Sequence, residues 1–375
     1  MKVLHIISNL GVGGAETMLK RLVESDPVSI LHTVIVSLTT LGVIGELLRN
    51  QGVKVHTLNL SSNGLNLPMV LWRLILLIRR FKPDIVQTWL YHADLLGGLA
   101  ARLAGSKNIV WGVRCTAIPQ GALSITYWLV RLCGILSHTV PDRIICCAIS
   151  AREVHINLRY AAHKMTVVPN GYDFSAFEMQ STSRKNVRQE LGIKADDIVI
   201  GVVGRFDPLK DFHNFVSAAS YIATKRADVK FLMVGDGNEW TNSVLHGWIE
   251  EAGLLNRFCL VGYQAEVAQF FSAMDIFCLS SQNEGFPNVL VEAMAMSLPC
   301  VVTQAGDATD ILGDDDFVVP VKDSVSLANA LLQMCQLDSD EQRLLGEKNA
   351  EKVRYQYGIE EVRRKYKAIY EEINR

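Results

Sequence analysis

The chain has 375 residues, of which 49% are hydrophobic and 20% are charged, so it is long enough for more than one hydrophobic core. Its formal net charge of −2 gives no support to a general affinity for nucleic acid. The eight cysteines form no C-x-x-C pair, and no run of about 20 apolar residues is present, so we expect a cytoplasmic protein with reduced cysteines and no transmembrane span.

Short apolar runs alternate with longer helical stretches, beginning with Val3–Ser8, which is too short for a secretory signal and predicts a buried strand. In the first half, the other predicted strands are Thr33–Ser37, Val53–Leu58, Ile85–Gln87, Ile109–Gly112 and Ile144–Ala148, and the predicted helices include Glu16–Val23, Met69–Phe81 and Leu95–Leu103. In the second half, the predicted strands are Ile198–Val203, Lys230–Val234, Phe258–Leu260, Ile276–Leu279, Cys300–Thr303 and Phe317–Val319. Such alternation predicts parallel sheets with helices on both faces.

The alternating pattern restarts after Gly171, which predicts two doubly wound α/β domains. Turn-forming residues are concentrated at Pro169-Asn170-Gly171, so we place residues 1–168 in the first domain and residues 169–357 in the second. The last stretch, Gly358–Arg375, is highly charged and carries apolar residues at helical spacing. It therefore predicts an amphipathic C-terminal helix.

Two carboxylates eight positions apart, Glu284 and Glu292, bound the most informative segment, E-G-F-P-N-V-L-V-E. Gly285 lets the backbone approach a ligand closely, and Pro287 suits the first turn of a helix. Because the N-terminus of a helix offers free N–H groups and the positive end of a dipole, the segment predicts a phosphate site. Glu284 would then lie at the mouth of that site, and Glu292 about two turns into the helix.

This segment resembles the E-x7-E motif of retaining, nucleotide-sugar-dependent glycosyltransferases of the GT-B fold, in particular glycosyltransferase family 4. Three further segments resemble that family in the same order, namely the glycine loop Gly11–Glu16, the interdomain linker Val167–Asp173 and the phosphate-binding loop Gly204–Asp211. The resemblance implies two Rossmann-like domains that face each other across a cleft. It also implies that the C-terminal helix, residues 358–375, packs back on the first domain.

On the second domain, the resemblance assigns Arg205 and Lys210 to the diphosphate of the donor, Glu284 to its sugar and Glu292 to its ribose. Fixed cations at a strand end would stabilise the charge that develops on the leaving group. The alternative for the two cations is a pair of solvated surface side chains. Further donor-binding candidates gather at the same edge, namely Gly204, Gly262, Asn283, Gly285, Phe286, Pro287 and Asn288.

No metal cofactor is expected. The resemblance implies this, because GT-B members of the family characteristically need no divalent ion. The sequence agrees, since no D-x-D motif stands at a predicted strand end. The acidic run Asp314–Asp316 is typical of a solvated loop.

On the first domain, Gly11, Gly13 and Gly14 follow the opening strand. A dinucleotide fingerprint requires a third glycine in G-x-G-x-x-G, so this loop disfavours a dinucleotide oxidoreductase. The resemblance implies that Gly13 and Gly14 approach the donor phosphate and that Gly11 lies toward the acceptor. The alternative is a tight strand-to-helix turn without a ligand.

His92 and Arg114 follow two predicted strands of the first domain, and we expect both on the acceptor side. Many members of the family carry a histidine where this chain has Arg114. That departure leaves His92 as the favoured catalytic histidine and Asp94 as the second polar candidate. The alternative for His92 is a structural histidine.

The resemblance implies sugar transfer from a nucleotide-diphosphate sugar to a glycan or lipid-linked acceptor, in surface polysaccharide or lipopolysaccharide assembly. The acceptor hydroxyl would attack on the face of the leaving group, with retention of configuration, and a β-phosphate oxygen would take its proton. Two alternatives stay open: a sugar-nucleotide 2-epimerase of the same fold, and a non-catalytic sugar-nucleotide-binding subunit.

Two stretches, Pro68–Lys82 and Ala122–Ile135, place basic residues beside aromatic and aliphatic ones. Such helices suit an anionic membrane surface, which would put the protein peripherally on the inner face of the plasma membrane. The alternative is a pair of core-facing helices whose arginines extend to water.

Overall fold

The computed structural model describes residues 1–116, 118, 125–177, 181–313 and 315–375. Ala122, in the second basic stretch, and Asp314, in the acidic run, lie outside these residues. Unit 1 comprises residues 1–173 and 357–375, and unit 2 comprises residues 174–356. The sequence-based boundary follows residue 168, whereas the observed one follows residue 173.

The described part of unit 1 contains a seven-stranded parallel sheet in the order β3-β2-β1-β4-β5-β6-β7. Its strands are β1 Val3–Ile7, β2 Thr33–Ser37, β3 Lys54–Thr57, β4 Ile85–Trp89, β5 Ile109–Val113, β6 Arg143–Cys146 and β7 Met165–Val167. Its helices up to this point are α1 Gly14–Glu24, α2 Gly42–Asn50, α3 Leu67–Phe81, α4 Tyr91–Ala104, α5 Ile125–Leu136 and α6 Ile149–Asn157. Strands β1, β2, β4 and β5 are buried throughout, as expected for a parallel sheet covered on both faces.

The described part of unit 2 contains a six-stranded parallel sheet in the order β10-β9-β8-β11-β12-β13. Its strands are β8 Ile198–Val203, β9 Val229–Val234, β10 Phe258–Gly262, β11 Ile276–Leu279, β12 Cys300–Thr303 and β13 Val318–Val319. Its helices are α7 Ser181–Glu190, α8 Phe212–Lys225, α9 Ser243–Glu251, α10 Ala268–Ala273, α11 Asn288–Ala295, α12 Ala308–Leu312, α13 Ser324–Gln336 and α14 Ser339–Tyr357.

The last helix, α15 Ile359–Ile373, belongs to unit 1 although it follows unit 2 in the chain. One face of α15 is buried, and burying a large apolar side chain contributes about 1.5–3 kcal/mol. The ring of Tyr366 stacks on that of Trp89 with centroids 6.1 Å apart, and the Tyr370 hydroxyl donates to Oε1 of Gln87 at 3.2 Å. These contacts join α15 to the end and the middle of strand β4.

The prediction of two doubly wound α/β domains is confirmed, with three local corrections. Strand β7, Met165–Val167, was missed because it has only three residues and ends where the segment interpreted as a linker begins. Phe317 precedes strand β13 in a short 3-10 turn instead of starting the strand. Pro287 is the N-cap residue of helix α11 and precedes its first residue. Glu292 is therefore the fifth residue of the helix, whereas the sequence analysis placed it about two turns into the helix.

No helix in the described residues has the length and apolar character needed to span a membrane. The eight cysteines are free thiols, and six of them are buried.

Candidate functional site

Each sheet has a point where the strand order reverses, and open parallel sheets bind ligands in the crevice at the carboxyl ends of the strands there. In unit 2 this point lies between β8 and its neighbour β11. The loop after β8 carries Arg205 and Lys210, and the loop after β11 carries Glu284. The sequence-predicted donor residues therefore meet at the position where the topology of the sheet favours a ligand.

Lys210 and Glu284 form an ion pair, with Nζ of Lys210 2.6 Å from Oε1 of Glu284. The two side chains are only 21% and 13% exposed, so water screens this pair less than a surface ion pair. The hydroxyl of Ser281 donates to the same carboxylate oxygen at 2.7 Å. The pair therefore holds a cation and a carboxylate in fixed positions at the edge of the sheet.

Arg205 is 72% exposed on its side chain and pairs with Asp207, at 3.0 Å from Nη2 to Oδ2. The other carboxylate oxygen of Asp207 accepts from the backbone N–H of Leu209 at 2.9 Å, so Asp207 also caps the turn that leads to Lys210. One acidic residue therefore orients both cations of the loop. Asp207 lies inside the phosphate-binding loop Gly204–Asp211. An aspartate directly before a proline is a signal for the start of a helical turn, and it could have been recognised in the sequence.

The loops after β8 and β11 are joined to each other. The Ser280 hydroxyl donates to the carbonyl oxygen of Lys210 at 2.9 Å. The Gln282 backbone N–H donates to the Leu209 carbonyl at 2.8 Å, and its side-chain amide donates to the Pro208 carbonyl at 2.9 Å. These bonds fix the backbone on both sides of the ion pair and therefore hold the two loops in a defined arrangement.

Two glycines leave space for the ion pair. A β-carbon on Gly204 would lie 3.2 Å from Cε of Lys210, so any side chain there would press on the lysine. Gly306 has φ +56°, and a β-carbon on it would collide with the carbonyl oxygen of Glu284. Gly306 was missed in the sequence, although it follows a predicted strand.

The backbone N–H groups of two predicted donor-binding glycines are already used within unit 2. Gly204 donates to the Val234 carbonyl at 2.9 Å, and Gly262 donates to the Asn238 carbonyl at 3.0 Å. These two N–H groups are therefore not available to a diphosphate, and the predicted place of Gly204 and Gly262 in donor binding remains a prediction. The backbone of Gly204 also joins two loops at this edge of the sheet, because the side-chain amide of Asn238 donates to its carbonyl oxygen at 2.7 Å.

Helix α11 starts directly after the segment that carries Glu284. Pro287 is its N-cap, and Asn288 is its first residue, so the positive end of the helix dipole lies in the predicted phosphate region. Phe286 is buried, so its ring packs into the domain and only its backbone remains for a donor contact. Asn283, Gly285, Asn288 and Glu292 are all partly exposed around this helix end.

In unit 1 the strand order reverses between β1 and β4, and the loop after β1 contains the three predicted glycines. Gly13 is the N-cap of α1, and a β-carbon on it would collide with Oε2 of Glu16. Burial raises the pKa of Glu16 above its usual range. Since this carboxyl group already lies at the helix N-terminus, where it would compete with a phosphate, the contact predicted for Gly13 and Gly14 remains a prediction. The Gly11 N–H donates to Oδ1 of Asn9 at 2.9 Å.

The first turn of α4, which follows β4, exposes His92 to solvent and buries Asp94. His92 is the second residue of α4, and partial desolvation lowers its pKa. Leu90, the N-cap, has φ +73°, a strained conformation for leucine of the kind that clusters at functional sites.

Asp94 is fully buried, and it accepts from the Thr88 hydroxyl at 2.5 Å and from the Gly112 N–H at 3.2 Å. Burial raises the pKa of its carboxyl group to about 8. The expectation that Asp94 contacts an acceptor is therefore corrected: its hydrogen bonds join the first turn of α4, which carries His92, to strands β4 and β5.

Arg114 is bound to other parts of unit 1. Its guanidinium donates to the Tyr366 hydroxyl at 3.3 Å and to Oδ1 of Asn170, and it lies 5.1 Å from the centroid of the Trp89 ring. This arrangement links the end of β5 to α15. It gives Arg114 an architectural role, and its predicted contact with an acceptor remains a prediction.

The site of unit 2 combines two cations, each paired with a carboxylate, and a helix N-terminus, which can hold a diphosphate and position the group attached to it. Across the described residues, no group of three or more His, Cys, Asp or Glu side chains is placed to hold a metal ion.

Two family models match the chain, Glycosyltransferase Family 4 over residues 12–176 and Glycosyl transferases group 1 over residues 183–353. A UDP-Gal:alpha-D-GlcNAc-diphosphoundecaprenol alpha-1,3-galactosyltransferase of Escherichia coli is 30% identical over 263 residues, which is 69% of this chain and 68% of the relative. The capsular polysaccharide biosynthesis glycosyltransferase CapM of Staphylococcus aureus is 26% identical over 273 residues, 70% of each chain.

The fold is similar to that of HepE from Anabaena, solved in complex with UDP. The TM-score is 0.87 at 21% identity, over 99% of this chain and 100% of the other. The structure of HepE in complex with UDP-glucose gives a TM-score of 0.82 at 22% identity, over 100% and 99% of the two chains. At this identity the similarity concerns the fold.

Proposed function

The chain belongs to the family 4-type glycosyltransferases, and on that basis we propose that it transfers a sugar from a nucleoside diphosphate sugar to a glycan or lipid-linked acceptor with retention of configuration. We place this reaction in the assembly of a surface polysaccharide or lipopolysaccharide. The names of the Escherichia coli and Staphylococcus aureus relatives support that setting.

The observation that carries the proposal is the Lys210–Glu284 pair at the reversal point of the second sheet, beside Arg205 and the N-terminus of α11. A non-catalytic binding subunit would need cations for the diphosphate, but it would not need a carboxylate fixed beside them. Glu284 therefore favours an enzyme, because a carboxylate next to the transferred sugar can stabilise the positive charge that develops there.

In the proposed reaction, Lys210 and Arg205 bind the diphosphate more strongly as the glycosidic bond breaks and negative charge accumulates on it. Glu284 orients the sugar, and Glu292 binds the ribose. A β-phosphate oxygen accepts the proton of the attacking hydroxyl, and His92 contacts the acceptor. We propose that no metal ion takes part, since the two cations and the helix end supply the positive charge.

Uridine diphosphate is our first candidate for the nucleotide, because the relative from Escherichia coli is named for UDP-Gal and HepE was solved with UDP. We expect UDP in the presence of EDTA to raise the melting temperature of the protein in a thermal-shift screen of nucleoside diphosphates. A ligand at 100 times its Kd stabilises the folded state by about 2.7 kcal/mol. The control is Lys348→Ala, which removes an exposed lysine of α14 and should leave the shift unchanged.

A flat response to every nucleoside diphosphate would contradict the donor site. A response that needs a divalent ion would contradict only the metal-free proposal. The alternative epimerase has no acceptor and would convert one sugar nucleotide into another, whereas the transferase should release free nucleotide only when an acceptor is present. Retention is tested by NMR, since the glycosidic bond of the product should keep the anomeric configuration of the donor.

We also propose peripheral contact with an anionic membrane on the cytoplasmic side. Helices α3 and α5 expose apolar and aromatic side chains, with Trp72 60% and Trp128 55% exposed. The guanidinium of Arg131 lies 6.0 Å from the centroid of the Trp128 ring, so cationic and aromatic groups share this surface. Exposed tryptophans beside arginines are typical of proteins that bind the membrane interface.

We expect the protein to float with vesicles that contain anionic lipid at low salt. The doubly substituted variant Trp72→Ser/Trp128→Ser should float less, because the apolar contribution to membrane binding is lost. The matched control is Tyr355→Ser, which removes an exposed aromatic side chain from α14 of unit 2. Absence of the wild-type protein from the floating fraction, or equal flotation of the tryptophan variant and the control, would contradict the membrane proposal.

A further inference from the structure

Unit 1 contains a cavity of about 460 Å³ at the reversal point of its sheet, between the loops after β1 and β4. This volume is in the usual range of ligand pockets, about 300–1,000 Å³. The walls are mainly leucine side chains, among them Leu60, Leu96 and Leu129. His92 lies at the same cavity, so the predicted catalytic histidine and a largely apolar space share one site.

The polar residues of this cavity come from the loops after β1, β2 and β3 and from α4, namely Ser8, Asn9, Thr39, Ser61, Ser62 and His92. The hydroxyl of Ser8 is shielded from water, and no described residue forms a hydrogen bond with it. A polar group in this position is costly unless a ligand or a water molecule bonds to it. The cavity therefore combines a largely apolar wall with polar residues, one of which, Ser8, has a hydroxyl group with unused hydrogen-bonding capacity.

Electrostatics at the cavity favours a negatively charged group. Leu67 and His92 line it, and they lie in the first turns of α3 and α4 respectively. The positive ends of these two helix dipoles therefore approach the same space. An occupant that is apolar along its length and anionic at one end would complement both the leucine wall and these helix ends.

We propose that this cavity binds the beginning of the aliphatic chain of a lipid-phosphate-linked acceptor, with the phosphate near Ser8 and the helix ends. This inference rests on the proposed function and narrows its acceptor to the lipid-linked class. A free glycan is a poorer occupant, because its hydroxyl groups would lose water against leucine side chains without gaining partners. The rest of the chain would leave along α3 and α5, whose exposed apolar faces continue from the cavity.

The test is the binding of farnesyl phosphate, below its micelle concentration, to the full chain by calorimetry. We expect farnesyl phosphate to bind. Inorganic phosphate lacks the aliphatic chain and farnesol lacks the phosphate, so each should bind at least about tenfold more weakly. Leu96→Gln should weaken the binding of farnesyl phosphate by about tenfold or more, since it puts an amide against the chain.

The matched control is Leu103→Gln, at the far end of the same helix, where the leucine is 58% exposed and lines no part of the cavity. It should change binding less than about twofold. Leu96→Met should restore binding, since methionine keeps the volume and the apolar character. Leu129→Gln, on α5, gives an independent second variant should Leu96→Gln disturb folding.

The inference would be overturned if farnesyl phosphate bound equally well to Leu96→Gln, Leu129→Gln and the control Leu103→Gln. It would also be overturned if the wild-type protein did not bind farnesyl phosphate. Failure here remains distinguishable from failure of the proposed function. A protein that binds UDP but not farnesyl phosphate refutes the lipid cavity alone. A protein that binds farnesyl phosphate but no nucleoside diphosphate supports the cavity and refutes the proposed donor site.

Discussion

Replacement of Glu284 by alanine is expected to reduce kcat by about 10²–10³-fold while the protein remains folded. The carboxylate is fixed by Lys210 and Ser281, and losing one such preorganised electrostatic group typically has an effect of this size. Steady-state kinetics with the donor identified by the thermal-shift screen measures the change. We expect Glu284→Gln to be nearly as inactive, because the amide keeps the shape of the side chain but not its charge.

The matched control is Glu351→Ala, which removes an exposed carboxylate of α14 in the same unit and should leave kcat unchanged. Circular dichroism and UDP-dependent melting check that Glu284→Ala is folded and still binds nucleotide. Turnover in Glu284→Ala within a few-fold of the wild-type value would remove Glu284 from the reaction. The Lys210–Glu284 pair would then be interpreted as a structural contact between two loops.

Much of the second domain's site was predictable because its chemistry is encoded in short, contiguous segments. Arg205, Lys210 and Glu284 each lie in the loop after a strand that the alternating pattern predicted. Once two strands are neighbours in a parallel sheet, the groups at their carboxyl ends are brought to one edge. The resemblance to a known family added the role of each group, which spacing alone does not provide.

The sequence does not show an environment that depends on distant parts of the chain. Arg114 has Tyr366 as a partner 252 residues later, on a helix whose docking site the sequence does not specify, and its predicted contact with an acceptor remains a prediction. The N–H groups of Gly204 and Gly262 are not available to a phosphate. They are used by carbonyl groups of the β9 strand and the loop after it, which only the pairing of the strands reveals.

A boundary error explains the two different environments of His92 and Asp94. The predicted helix began at Leu95, whereas α4 begins at Tyr91, so both residues lie in the first turn of a helix and not in a loop. Residues two apart on a helix do not face the same way. His92 therefore points to solvent and the cavity while Asp94 is buried beneath the strand ends.

Replacement of Lys210 by alanine is expected to weaken binding of UDP by about 1.5–3 kcal/mol, or about 10- to 150-fold in Kd. A charged hydrogen bond to the diphosphate would be lost. A second effect has the same sign: Glu284 would keep its negative charge close to the phosphates without a cation to neutralise it. Calorimetry with UDP measures the sum of the two effects, with Lys348→Ala as the control.

The double variant Lys210→Ala/Glu284→Gln separates these two effects. If Lys210 acts by contacting the diphosphate, the double variant should bind UDP about as weakly as Lys210→Ala. If Lys210 acts mainly by neutralising Glu284, removing the carboxylate should restore most of the affinity, and the coupling energy between the two substitutions should be large. An unchanged affinity in Lys210→Ala itself would refute any part for this lysine in the donor site. Because Nζ of Lys210 is bonded to Oε1 of Glu284, a diphosphate that binds Lys210 must either share the lysine with the carboxylate or break their bond, and the coupling energy decides between these two possibilities.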